Sequence, residues 1–170
     1  AVANPQVPPP PGPAPLFRWD FAEADEAGRG GEVQGGALVA NGRLRLPKEG
    51  AFFQSPPLPR EIREKTLEAW VALDRLDQGG GAAISIEQPD GRIFDAIVFA
   101  ERQPGKWMAG SDGFSRTLDL DIPSESAPGG SLVHMAIVYR ADNSIALYRN
   151  GEPLGRPYTP ATPLQVFAAG

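Results

Sequence analysis

The chain has 170 residues, 41% of them hydrophobic, no cysteine and a formal net charge of −5. That length fits one domain with a core large enough to need neither metal nor disulfide, and the lack of cysteine removes disulfides, thiolate metal sites and thiol nucleophiles. Scattered Lys and Arg on an acidic chain exclude a nucleic-acid footprint, and no apolar run approaches the ~20 residues of a membrane-spanning helix.

Residues 1–15 hold seven prolines and no charged side chain. Pro8 to Pro11 favours polyproline II, a stiff spacer without internal hydrogen bonds. The stretch reads as a linker, with one domain over 16–170. The chain opens on Ala1 with no signal-peptide pattern and reads as a mature protein or an excised piece. From Leu16 onward, short β runs are broken by turns. Strands are expected at 16–21, 42–46, 51–54, 66–74, 82–88, 92–101, 105–111, 116–121, 132–140, 143–149 and 152–158. The one helical stretch, Arg60–Lys65, is long enough for a single turn. Many short, evenly spaced strands imply an all-β sandwich or barrel.

The turns carry the strongest local signals. Gln88-Pro89-Asp90-Gly91 places Pro at a turn entry and Gly where φ is positive. Asn150-Gly151 between Ile145–Tyr148 and Glu152–Leu154 is a two-residue hairpin signal. Ala141-Asp142-Asn143 joins two further strands. Along 132–140, Val133, Met135, Ile137 and Tyr139 share one face, and Leu132, His134, Ala136 and Val138 the other. The run 93–100 is apolar on both faces apart from Asp95. Two such strands, expected to be central, imply two packed layers with covered outer faces.

Three stretches resemble laminin-G-like jelly-roll modules of the concanavalin-A-like superfamily. They are Phe17-Arg-Trp-Asp-Phe21 followed by Gly42-Arg43-Leu44, then Lys65-Thr-Leu-Glu-Ala-Trp-Val-Ala-Leu73, then His134-Met-Ala-Ile-Val-Tyr139 with Asn143 to Gly151. The order and spacing hold over about residues 16–158. The resemblance is to modules embedded in large bacterial envelope proteins. It implies a two-sheet antiparallel jelly roll working as a non-catalytic accessory unit that binds carbohydrate or a neighbouring protein domain. It also implies an extracytoplasmic location, periplasmic or secreted, and in some members calcium on a rim loop. The pattern departs from the family after Asn150-Gly151, where a closing strand is expected to be lacking. An open sheet edge would then favour self-association.

Each candidate site has a plainer reading beside it. Asp119-Leu-Asp121-Ile-Pro-Ser-Glu125 is the nearest approach to the acidic strand of a retaining glycosidase, which needs carboxyls ~5–5.5 Å apart on one face. It begins with Asp, and Pro123 interrupts it before Glu125, so it reads as outer-strand carboxylates. No catalytic residue is assigned. His134 is the only histidine and reads as structural. Trp70 shares a face with Glu68 and Asp74. It is expected to pack under a loop or the first strand, since the family carries it as part of the fold. The alternative is an aromatic platform for a sugar ring beside acids that accept hydroxyl hydrogen bonds. Trp107 is the surface candidate instead, flanked by turns, and with Ser111, Asp112 and Arg102 it forms the expected ligand site. No cofactor is assigned. Calcium is left open, because Asp90, Asp112, Asp142 and Asn143 are oxygen donors in turns but equally serve their own backbones.

Overall fold

The computed structural model describes residues 14–22 and 30–170. The linker reading of the proline-rich stretch falls outside the described residues up to Pro13, as does the acidic run Glu23–Glu26. Internal packing divides the chain into two compact units, 1–57 and 58–170.

The first unit holds four three-residue strands: β1 (Glu32–Gln34), β2 (Leu38–Ala40), β3 (Arg43–Arg45) and β4 (Phe52–Gln54). β1 pairs with β4 and β2 with β3, both antiparallel. Asn41 and Gly42 both have positive φ, 53° and 68°, and turn β2 into β3 as a two-residue hairpin. Gly35 is required where it stands. Its φ is +61°, and a Cβ there would lie 1.7 Å from the Gly50 carbonyl oxygen. The strand expected at 16–21 makes no ladder. Its alternate aromatics bind through rings instead: Phe17 stacks on Trp19 at 5.3 Å, and Trp19 and Phe21 meet Phe53 edge-on at 5.2 and 5.3 Å. Phe21, at φ 54°, ends the extended run.

The second unit contains β5 (Lys65–Ala72), β6 (Ala82–Glu87), β7 (Phe94–Phe99), β8 (Trp107–Ser111), β9 (Leu132–Tyr139), β10 (Ile145–Arg149) and β11 (Glu152–Pro153). They form a four-stranded sheet in the order β11-β10-β9-β5 and a three-stranded sheet β6-β7-β8, antiparallel throughout. β9 and β7 are central, as their two apolar faces require. One core cluster joins the sheets: Leu67 of β5, Val133, Met135, Ile137 and Tyr139 of β9 and Ile145 and Leu147 of β10 pack with Ile97 and Phe99 of β7 and Trp107 and Ala109 of β8. This is the two-layer all-β architecture of a jelly-roll sandwich. The turns follow the sequence signals: Gly91 (φ 69°), Asn143 (φ 70°) and Asn150-Gly151 (φ 51° and 82°) supply the left-handed positions.

Two further expected elements do not form. Residues 60–65 form no helix. Ile62 is extended and exchanges backbone hydrogen bonds with Phe167 at 2.9 and 2.8 Å. Residues 116–121 form no strand, although they return beside β8. Their links to it run through side chains: the Ser111 hydroxyl accepts the Arg116 N–H at 2.9 Å, and the Thr117 hydroxyl donates to the Ala109 carbonyl at 2.7 Å. The residues after the Asn150-Gly151 hairpin pack on the module. Tyr158 bridges Ile145, and Leu164 and Phe167 are buried in the core.

The core also contains charge. Asp95 on β7, fully buried, lies 2.8 Å from the Lys65 ammonium of β5 and 2.8 Å from the Arg116 guanidinium. Lys65 also sits 4.2 Å over the Tyr139 ring and 4.8 Å over that of Phe167. Burial pulls the Lys65 pKa below its ordinary value, and Asp95 only partly restores it. Removing the anion leaves buried Lys65 without a carboxylate and Arg116 with Asp112 as its remaining one, and breaking a buried pair in this way typically costs about 3–5 kcal/mol. Asp95→Asn should therefore lower the urea unfolding free energy by about that amount, with Lys65→Met added to it recovering part of the loss. A loss under about 1 kcal/mol would refute this role for Asp95.

Candidate functional site

The four residues expected to form a ligand site do not converge on an open surface. In the β7–β8 register, Trp107, Ala109 and Ser111 point to the same side as Phe99, Ile97 and Asp95, the core side. Trp107 is 3% exposed, with its ring 5.0 Å from that of Phe99. Its placement as a surface aromatic is therefore corrected: β8 is buried on both faces, with its odd-numbered residues in the core between the sheets and Met108 in a second buried cluster with Ala96 and Val98. Ser111 is buried, and its hydroxyl is engaged by the Arg116 N–H and by Thr117. Asp112 receives the Arg116 guanidinium at 2.6 Å and the Phe94 N–H at 3.3 Å. Burial would raise its pKa, but Arg116 outweighs it and holds the carboxyl below the usual range. Arg102 is committed to Asp119 through two bonds of 2.8 and 2.9 Å and lies 4.8 Å from the Phe114 ring.

Trp70, expected to be packed away, stands in the open. β5 alternates Leu67, Ala69 and Val71 inward with Thr66, Glu68 and Trp70 outward, so the indole leaves the sheet on the polar face and is 67% exposed. A covered tryptophan removes about 150–250 Å² from water. At about 25 cal/mol per Å², this exposure forgoes roughly 3 kcal/mol of burial. Register places Trp70 opposite His134 of β9, with the rings 4.9 Å apart and tilted by 40°. His134 Nε2 lies 2.8 Å from Glu68 Oε1, so the ring nitrogen is bonded to a neighbouring side chain, as a structural histidine requires. The Asn150 side chain accepts the His134 backbone N–H at 2.9 Å, tying the β10–β11 turn to this strand. Glu68 pairs with Ala136, which pairs with Tyr148 of β10, whose hydroxyl receives Arg140 at 3.0 Å. Leu132, opposite Ala72, is also exposed. The outer face of this sheet therefore carries a free indole, a solvent-facing carboxylate fixed by an imidazole, and an aromatic two strands away. The alternation of Trp70 with Glu68 is the sequence signal that exposes it.

A second polar cluster lies where Trp107 meets the segment after Pro123. Glu125 accepts the Trp107 indole N–H at 2.8 Å, Arg149 Nε and Nη2 at 2.9 and 2.7 Å, and the Ser126 and Ala127 backbone N–H groups at 2.9 and 2.8 Å. Burial by itself would raise this carboxyl. Arg149, the Ala127 N–H and the indole outweigh that effect and hold it at about 2, against an ordinary 4.5. A general acid needs the opposite shift. Of the acids expected as its companions, Asp119 is held by Arg102, and Asp121 is exposed.

Of the turn oxygens considered for calcium, Asp90 and Asp142 accept backbone N–H groups two residues on, at 3.0 and 2.9 Å, and Asn143 accepts the Leu164 N–H at 2.7 Å. Among the described residues, no group of three or more His, Asp or Glu side chains is placed to hold a metal. No helix among them is long and apolar enough to cross a membrane.

Residues 49–168, more than half of the chain, match the laminin G family model described as the concanavalin A-like lectin/glucanases superfamily. No curated protein and no solved structure matches the chain.

The Glu125 shift has a defined pH signature. With a folded pKa of about 2 against about 4.5 unfolded, the unfolded state binds the extra proton between those values. The contribution is complete above about pH 4.5 and is lost as pH falls toward 2. Glu125→Gln should be less stable at neutral pH, and its stability should depend on pH more weakly across that window, by about one proton. Equal slopes for the two proteins in chemical unfolding followed at a series of pH values would contradict this assignment.

Proposed function

We propose that this chain, which belongs to the concanavalin A-like lectin/glucanases superfamily, is a non-catalytic binding module of a larger extracytoplasmic protein and docks carbohydrate on the outer face of its four-stranded sheet. The observation that carries the reading is the exposed Trp70 indole beside Glu68 and His134. An indole face accepts the apolar face of a sugar ring, and a carboxylate at its edge accepts hydroxyl hydrogen bonds. The reading as a holder of ligand is supported by the state of the reactive groups. Asp95, Asp112, Asp119 and Glu125 are all committed to Arg or Lys partners, and the Glu125 carboxyl is held ionised rather than poised to give up a proton.

A neighbouring protein domain is the second reading, favoured by Leu132 lying exposed across from Ala72 in the row next to Trp70. An apolar Trp–Leu patch suits the centre of a protein contact.

Affinity electrophoresis through gels containing single soluble polysaccharides separates the readings. At least one polysaccharide should retard the wild type, and Trp70→Ala should abolish the retardation. The substitution should cost at most about 1 kcal/mol of stability, as expected of a surface side chain. Retardation that persists in Trp70→Ala would place the site elsewhere. Migration unchanged by every polysaccharide would favour the protein-contact reading.

A further inference from the structure

The electrostatics of the Trp70 face narrow the class of ligand, and the inference that follows rests on the carbohydrate reading above. Within residues 58–170, the charged group adjoining the indole platform is Glu68, whose side chain is 59% exposed. One of its oxygens meets His134, and the other has no partner among the described residues. It is therefore an open acceptor for a hydroxyl or amide donor, and it repels an anion.

Three of four nearby cations are paired with carboxylates. Lys65, the first residue of β5, turns inward to Asp95. Arg149, on β10, closes on Glu125 with two bonds. Arg140, after β9, donates to the Tyr148 hydroxyl. Arg75, past the end of β5, is paired with Asp77 at 2.8 and 2.7 Å. Recognition of a uronate or a sulfate calls for a guanidinium or ammonium free to form a charge-assisted bond. Lys65, Arg149 and Arg75 are paired with carboxylates, and Arg140, held by the Tyr148 and Ser144 hydroxyls, meets this face two strands away from β5, whereas Glu68 adjoins the indole. The chain as a whole carries −5, which also disfavours encounter with a polyanion.

We propose that the Trp70 face selects uncharged glycans, neutral or N-acetylated, and rejects uronate- and sulfate-bearing ones, with Glu68 as the specificity-determining residue. The indole supplies stacking common to many sugar rings. Glu68 supplies both the hydrogen-bond acceptor and the penalty against acids.

Calorimetric titration tests this with mixed-linkage β-glucan, galactomannan and chitin oligosaccharides on one side, and polygalacturonate and heparin on the other. At least one neutral probe should bind about tenfold or more tightly than either acidic probe at low salt, with the gap narrowing as salt is raised. Glu68→Gln should weaken the neutral probe several-fold and bring the two classes closer. Acidic probes that bind better than neutral ones, through a site lost in Trp70→Ala, would overturn the selectivity while leaving the carbohydrate reading in place. A neutral preference unchanged in Glu68→Gln would overturn the role given to Glu68. No heat with any probe would overturn the carbohydrate reading and the selectivity with it.

Discussion

A fully buried carboxylate connects the two sheets of the larger unit. Asp95 projects from β7 into the core, takes the Lys65 ammonium from β5 of the other sheet, and takes the Arg116 guanidinium from the segment returning beside β8. Charges this deep survive only when paired, because each alone would lose several kcal/mol of hydration. The layers must therefore stack with β5 and β7 in one alignment, and that alignment sets which face of every strand is inward. Ser111, Thr117 and Asp112 complete the polar cluster around Arg116. The inward faces are spent on apolar packing and on paired ions, and the outer face of the β5-containing sheet carries the exposed Trp70 and Glu68 side chains.

Much of the architecture was legible in the sequence because it depends on alternation and on turn residues. The two apolar faces along 132–139 marked a central strand, and Asn150-Gly151 and Gln88 to Gly91 marked hairpins that formed as read. Elements that depend on tertiary partners were not legible. Residues 60–65 look helical in isolation, yet Ile62 is drawn straight by Phe167 more than a hundred residues away. Residues 116–121 have strand-like composition, but they meet β8 through Ser and Thr hydroxyls in place of a ladder. β2 was missed although Asn41-Gly42 offered the same hairpin signal as Asn150-Gly151.

The site was partly legible, and its two tryptophans exchange their expected places for a physical reason. On β5 the polar neighbours Thr66 and Glu68 show which face is outward, so the exposure of Trp70 could be read from parity alone. On β8 both faces are apolar or small, Trp107-Ala109-Ser111 against Met108-Gly110, so parity does not say which side is core. Asp95 decides it, since Ser111 lies opposite Asp95 and both face the buried cluster. The polar residues grouped with Trp107 as a ligand site are in fact the hydrogen-bonding shell of buried Arg116 and the exposed Arg102–Asp119 pair. Glu125, separated from its expected acidic companions by Pro123, caps Trp107 and Arg149 instead.

The central claim is that this module binds through an indole on its outer sheet face while its inward groups only hold the layers together. The chain has three tryptophans, so its indole N–H groups give three separate signals in a ¹H–¹⁵N spectrum. Titration with a neutral oligosaccharide should shift the Trp70 signal in a saturable way and leave that of Trp107, bonded to Glu125 in the core, in place. Movement of the Trp107 signal while that of Trp70 stays still would contradict the account.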